Sequence, residues 1–191
     1  MEVDHQYTYS VHRLAGLVCD FIEVKMNTQE LYVDGGVVQV NPSPIGGTYA
    51  WLLVENDARV KGCGYFMSAE TAKLPVVTNN QTEMIALIKG LSQLPSDWCG
   101  CIYSDSAITL GRAFSGWKWK NVPEWIQNRF FAQRLRFIYW DRITYVQLDG
   151  HPTKAQLASG IGKRGNPVSI HNVWCDEACG KAGASRGIYE L

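Results

Sequence analysis

Four carboxylates in this chain have the types and spacing for shared chemistry: Asp34 in "YVDGG", Glu83 in "TNNQTEM", Asp105 in "YSDS" and Asp176 in "CDEAC". Most other acids fall in turns or on faces that read as exposed. Each of these four falls at the end of a predicted strand or in the opening turn of a predicted helix. Taken alone, each has a local explanation. "DGG" is a common turn sequence, Glu83 and Asp176 suit the dipole of a first helical turn, and Asp105 can cap the helix after it. The combination asks for more. In an open sheet with crossovers such ends converge on one crevice. Converging carboxylates repel, which raises their pKa values, and cations between them relieve the repulsion. All-oxygen donors suit hard ions such as Mg²⁺ or Mn²⁺.

The elements that must position these acids are readable from periodicity. "ELYVD" alternates as a strand and stops at Gly35-Gly36, before the Pro- and Gly-rich "VVQVNPSPIGGTY". "TYAWLLVE" and "RVKGCGYFM" form a predicted antiparallel hairpin around "NDA". Met84, Ile85, Leu87, Ile88, Leu91 and Leu94 make a helical stripe from Thr82 to Leu94, with Thr78 or an Asn as its cap. "CGCIYSD" is an apolar strand of the kind covered on both faces. A helix follows from Ser106, and "VPEWIQNRFFAQRLRF" is another with Pro123 near its start. "RITYVQLDG" is the fifth strand, His151 to Val173 a long loop, and "WCDEACGKAGA" a closing helix. Three meandering strands followed by helix-linked crossovers predict an α/β fold: a mixed sheet with helices on its faces.

Composition sets limits. The chain has 191 residues, 46% hydrophobic and 19% charged, which suits one sizeable core. Formal net charge is zero, so a nucleic-acid partner needs a local basic patch. Such a patch runs from Gly111 to Arg142, where seven Lys and Arg face only Glu124 and Asp141. Within it "WKWKN" sets Trp117 and Trp119 among Lys118 and Lys120, a pattern suited to a phosphate backbone with sugar faces; partial burial of both rings is the alternative. Cys63, Cys99, Cys101 and Cys175 sit in apolar segments and read as reduced core residues. "CGC" and "CDEAC" are not CxxC pairs, and no histidine pair completes a zinc site. No apolar run is long enough to span a membrane. The N-terminus carries acids where a signal peptide needs basic residues, so a cytoplasmic protein is expected. Residues 1–28 read as an N-terminal extension, and 29–191 as the catalytic domain.

"YVDGG", "TNNQTEM", "YSDS", "GHP" and "CDEAC", in this order, resemble the ribonuclease H family over about Glu30 to Ala184. The resemblance implies a five-stranded mixed sheet of order 3-2-1-4-5 with helices on both faces. It implies that Asp34, Glu83, Asp105 and Asp176 hold two Mg²⁺ ions, replaceable by Mn²⁺, and that His151 in "LDGHP" assists from a loop. It implies an endonuclease that hydrolyses the RNA strand of an RNA–DNA hybrid, leaves 5′-phosphates and works as a monomer. The ions of such a site stand roughly 4 Å apart, with Asp34 the candidate bridge. His151 suits proton shuttling during product release, since imidazole titrates near neutral pH. Asn41 of "VNPSPIGG" and the polar Thr78, Asn79 and Asn80 become candidate substrate contacts. Contacts to 2′-hydroxyls, which alone mark the RNA strand chemically, fall to Asn80 and Gln81 or to backbone near Gly35 and Gly36.

Departures from the family pattern are specific. Ala107 follows "SDS" where many members carry Gln. The basic region is shorter than the family's protrusion. The Asp34–Glu83 interval is longer, through the hairpin. The interval from His151 to Asp176 is distinctly long, and its insert holds Lys154, Lys163 and Arg164 with no acid. That insert reads as a lid adding phosphate contacts through Lys163 and Arg164, or as a tolerated surface loop. Two rival functions keep the fold: an inert nucleic-acid-binding module, which predicts a lost carboxylate, and a DNA-directed nuclease, not expected to keep the amides of "TNNQTEM".

Overall fold

The structure is a computed structural model that describes residues 29–56, 58–67, 76–185 and 189–190. The predicted N-terminal extension lies outside them. The strands are β1 (Gln29–Val37), β2 (Gly46–Glu55), β3 (Ala58–Met67), β4 (Cys101–Ser104), β5 (Thr144–Gln147) and β6 (Tyr189–Glu190). The helices are α1 (Asn79–Leu91), α2 (Ala107–Phe114), α3 (Glu124–Arg136), α4 (Lys154–Ser159) and α5 (Ile170–Ser185). The sheet order is β5-β4-β1-β2-β3-β6. It contains the five-stranded 3-2-1-4-5 arrangement, and a two-residue strand adds to the β3 edge. β1, β2 and β3 pair antiparallel, while β4 and β5 join in parallel.

Strand alternation divides the core in two. Leu31 and Val33 of β1 pack with Met84, Leu87 and Leu91 of α1 and with Phe130 of α3 on one face. Tyr32 points the other way and packs with Cys175, Ala178 and Cys179 of α5. Truncating a buried side chain such as Leu87 to Ala would cost about 2–5 kcal/mol.

Four expectations change. β1 does not stop at Gly35-Gly36; both stay in the ladder opposite Tyr49 and Thr48. α1 begins at Asn79, earlier than its apolar stripe, because the backbone N–H of Thr78 donates to Gln81 Oε1 at 3.0 Å and fixes the start. The long loop after His151 contains α4, and α5 begins at Ile170, ahead of the apolar spacing that starts at Trp174. Cys99 is exposed and Cys101 half-buried, so neither is a core residue as Cys63 and Cys175 are.

Candidate active site

The site forms where β1 outruns its neighbour. β4 pairs in parallel with β1 through Tyr32↔Tyr103 and ends at Ser104. Carried two residues further, that register sets Asp105 opposite Asp34. Asp34 therefore lies inside a strand, flanked by a gap, and not at a strand's end as the sequence suggested. α1 crosses β1 at this point. A Cβ on Gly35 would stand 2.4 Å from the amide nitrogen of Glu83, so the missing side chain lets the helix backbone rest on the strand. Glu83 lies one turn inside α1 and is buried, which removes the first-turn explanation for it.

Ligand oxygens of Asp34, Glu83 and Asp105 all lie within 4.8 Å of one another. Burial raises the pKa of Asp34 well above the ordinary carboxylate range, and the charges of Asp105 and Asp176 add to it; a 2.7 Å bond from the Gly35 N–H opposes them. Burial likewise raises that of Glu83, then the charges of Asp34 and Asp105. Asp105 is raised by burial against the pull of His151. Asn79 Nδ2 donates to Glu83 Oε1 at 3.4 Å, whereas Glu83 Oε2 is buried with no partner among the described residues. A buried oxygen left without a donor, among like charges, fits a divalent cation.

Asp176 stands outside this trio, in the second turn of α5, so it is not a helix-opening residue either. Its Oδ2 lies 3.2 Å from His151 Nδ1, with the two side chains 45% and 78% exposed. It is still close enough to raise the pKa values of all three clustered acids.

Two clefts reach these acids. One of about 690 Å³ joins Glu83 and Asp105 to Asn79 and Asn80 on one wall and to His151, Lys163 and Arg164 on the other. The second, about 480 Å³, runs along Gly36–Gln39 and Gly180 and reaches Asp176. Asn41 Oδ1 accepts from the Asn79 N–H at 3.2 Å, which ties the Pro-rich loop to the start of α1. Asn80 is exposed and Thr78 half-buried, while the Gln81 side chain is occupied at the helix start.

Trp117, Lys118, Trp119 and Lys120 lie apart from these clefts, after α2. Trp117 is 50% exposed and lies over Gly111. Trp119 instead packs its ring 5.0 Å from Phe130 and 5.3 Å from Phe131. Lys118 and Lys120 are exposed.

The RNase H family model matches residues 26–182. The chain belongs to the RNase H family. A ribonuclease H of Syntrophus aciditrophicus (strain SB) is 31% identical over 132 residues, 63% of this chain and 69% of the relative. The RNase H1 of the halophilic archaeon Halobacterium salinarum NRC-1 shares the fold at a TM-score of 0.56 and 18% identity, over 83% of this chain and 98% of that one. LC11-RNase H1, solved in complex with an RNA/DNA hybrid, gives a TM-score of 0.56 and 16% identity over the same shares. Membership of this nuclease family agrees with the acidic trio, which can hold metal. No helix among the described residues is long and apolar enough to cross a membrane.

Two residues near this cluster carry no mark in the sequence. Asp149 is buried at 4% exposure beneath the 690 Å³ cleft. Asp149 falls near the end of the predicted fifth strand "RITYVQLDG", and nothing local signals that its carboxylate is buried. Asn172 is also buried, its Oδ1 has no partner among the described residues, and it lines a smaller cleft with Asp105, His151 and Asp176.

Proposed function

We propose that this chain is an endonuclease that hydrolyses the RNA strand of RNA–DNA hybrids and leaves 5′-phosphates. The observation that carries the reading is the buried trio of Asp34, Glu83 and Asp105, gathered within 4.8 Å with one oxygen unsatisfied. Three acids held this close with raised pKa values are unfavourable in themselves, and a family nuclease has a use for them. An inert binding module has none. The hybrid seen with LC11-RNase H1 supports the substrate class.

Asp34, Glu83 and Asp105 would hold the ions, Mg²⁺ or Mn²⁺, with Asp176 at the rim. Bound there, such ions supply Lewis-acid activation of water and charge neutralisation at the departing 3′ oxygen. The protein does the rest. Asp34 and Asp105 set the donor spacing by strand register, and Glu83 by the closeness of α1 to Gly35. Asp176 would orient the His151 ring through Nδ1, which leaves Nε2 without an acidic partner among the described residues. Nε2 can then take and release a proton as product leaves. Asn41, Thr78, Asn79 and Asn80 line the approach of one strand, and Asn80, exposed and uncommitted to capping, is the better placed of the two side-chain candidates for a 2′-hydroxyl. Lys118, Lys120 and Trp117 hold the duplex further out. The chain acts as a monomer on this reading.

The test is direct. Labelled RNA–DNA hybrid, duplex DNA and duplex RNA are each incubated with the protein and Mg²⁺. Cleavage confined to the RNA of the hybrid is expected. Cleavage of duplex DNA at an equal rate would make this a DNA-directed nuclease, and binding without cleavage would make it an inert module.

A further inference from the structure

The segment between His151 and α5 is a strap fastened by its own hydrogen bonds and by Asp149. Thr153 opens α4 with a reciprocal cap: its N–H donates to Gln156 Oε1 at 2.9 Å and its hydroxyl accepts from the Gln156 N–H at 3.3 Å. After α4 the chain turns back on itself. Ile161 and Pro167 form an antiparallel bridge, and the Gly162 N–H donates to Asn166 O at 2.8 Å. The Gly165 N–H donates to Gly162 O at 3.2 Å, so Lys163 and Arg164 sit at the tip of a tight turn.

Asp149 lies under this turn. Its Oδ2 accepts the Arg164 backbone N–H at 2.5 Å, and its Oδ1 accepts Arg164 Nε–H and Asn166 Nδ2–H, both at 2.9 Å. Its own N–H donates to Pro167 O at 2.9 Å. A Cβ on Gly162 would stand 2.3 Å from Asp149 Cβ, so the turn is seated directly on the carboxylate. Burial opposes the charge of Asp149, yet its pKa is lowered, because the bonds from Arg164 and Asn166 outweigh burial. Arg164 commits its backbone N–H and its Nε–H to this anchor, and the rest of its guanidinium stays free to face the cleft. Lys163, its neighbour, lines the same cleft as Glu83 and Asp105 and has no acidic partner among the described residues.

We propose that Asp149 is a positioning residue that locks the Gly162–Asn166 turn so that Lys163 binds a backbone phosphate flanking the one seated at Asp34, Glu83 and Asp105. The ligand is one phosphodiester of a nucleic-acid strand, and the proposal rests on the nuclease reading for the identity of that strand. With Arg164 tied to Asp149, Lys163 is the cation of this cleft without an acidic partner among the described residues, and it can hold the strand where the carboxylates alone would repel it. Asp149 acts only through the turn, so its effect passes through Lys163.

The experiment compares wild type, Asp149→Asn, Lys163→Ala and the double variant in the full chain. Each single variant is expected to raise the KM for hybrid about five- to tenfold, with kcat changed less than about twofold. Each is expected to lower the slope of log affinity against log salt by about one. The double variant is expected to be no worse than either single one. Additive losses, or an unchanged slope for Lys163→Ala, overturn the proposal. A second readout is amide hydrogen exchange. Asp149→Asn is expected to lose protection at Gly162, Arg164 and Val168 while α1 keeps it; equal protection there overturns the anchor. Should Asp149→Asn fail to fold, Asn166→Ala removes one of the three side-chain bonds and is expected to give a smaller loss of the same pattern. If wild type binds duplex DNA and ignores hybrid, the substrate reading falls alone; the same variants tested on duplex DNA still decide the strap.

Discussion

Gly35 and Glu83 are in backbone contact across the strand–helix interface: a methyl group on Gly35 would stand 2.4 Å from the Glu83 nitrogen and 2.3 Å from the Thr82 carbonyl carbon. The acid on α1 reaches the acid on β1 because nothing separates the two backbones. Gly35→Ala must push α1 outward. The expected cost is about 1–3 kcal/mol of stability from overpacking, together with a fall in kcat on the order of 100-fold as Glu83 moves off Asp34 and Asp105. Thermal melting and single-turnover cleavage measure the two effects separately. Wild-type activity in this variant would mean that Glu83 needs no such closeness.

This contact also shows why "DGG" misleads as sequence. Two glycines after an alternating run signal a turn, and only the helix packed on top reveals why they remain in the ladder. The gathering of Asp34, Glu83 and Asp105 was legible, since each stands beside a readable strand or helix. The exact placement of the site acids was not: Asp34 lies mid-strand and Asp176 a turn inside α5, as register and helix length decide. α4 does carry a local signal, the capping pair Thr153 and Gln156, within a segment whose length otherwise suggests a loop. Asp149 carried none, because its partners Arg164 and Asn166 lie fifteen and seventeen residues on. Trp119 looks like a twin of Trp117 in "WKWKN", and the packing of Phe130 and Phe131 separates them.

The raised pKa values of Asp34, Glu83 and Asp105 fix a sign for stability against pH. A carboxylate whose folded pKa exceeds its unfolded value binds protons more tightly when folded. Its contribution is fully present below the unfolded pKa, near 4, and is lost as pH rises through the folded pKa. Without divalent ions, the melting temperature is therefore expected to fall as pH rises above that range, and Mg²⁺ or Mn²⁺ is expected to restore it by binding the native cluster. Asp34→Asn removes one charge from the trio. It is expected to abolish cleavage yet melt higher than metal-free wild type at pH 8, with each kcal/mol worth about 2–4 °C at this chain length. A metal-free wild type whose melting temperature did not respond to pH would show that these acids do not strain the fold.

His151 and Asp176 form a pair at the rim, with Nδ1 and Oδ2 3.2 Å apart. If Asp176 serves partly to orient the imidazole, the two positions are coupled. His151→Ala is expected to lower kcat by about 100-fold with little change in KM. Asp176→Asn is expected to lower it as well, and the double variant by less than the product of the two. Multiplicative losses in steady-state cleavage would show that Asp176 works apart from the ring.

Outside the clefts, electrostatics decides how far the substrate extends. Arg112 Nη2 donates to Lys120 O at 3.1 Å, and Trp117 lies over Gly111, so the segment carrying Lys118 and Lys120 is fastened to α2. Fixed charges on a fastened segment can each neutralise one phosphate of a bound duplex. Replacing both lysines with Ala is expected to lower the log–log salt slope of hybrid binding by about two, while cleavage at saturating substrate stays near that of wild type, because neither lysine lines the cleft of Glu83 and Asp105. Arg112→Ala is expected to produce part of the same change by loosening the segment, since Arg112 donates to the carbonyls of both Lys118 and Lys120. An unchanged slope in the double lysine variant, measured from low to high salt, would place the duplex path elsewhere on the protein.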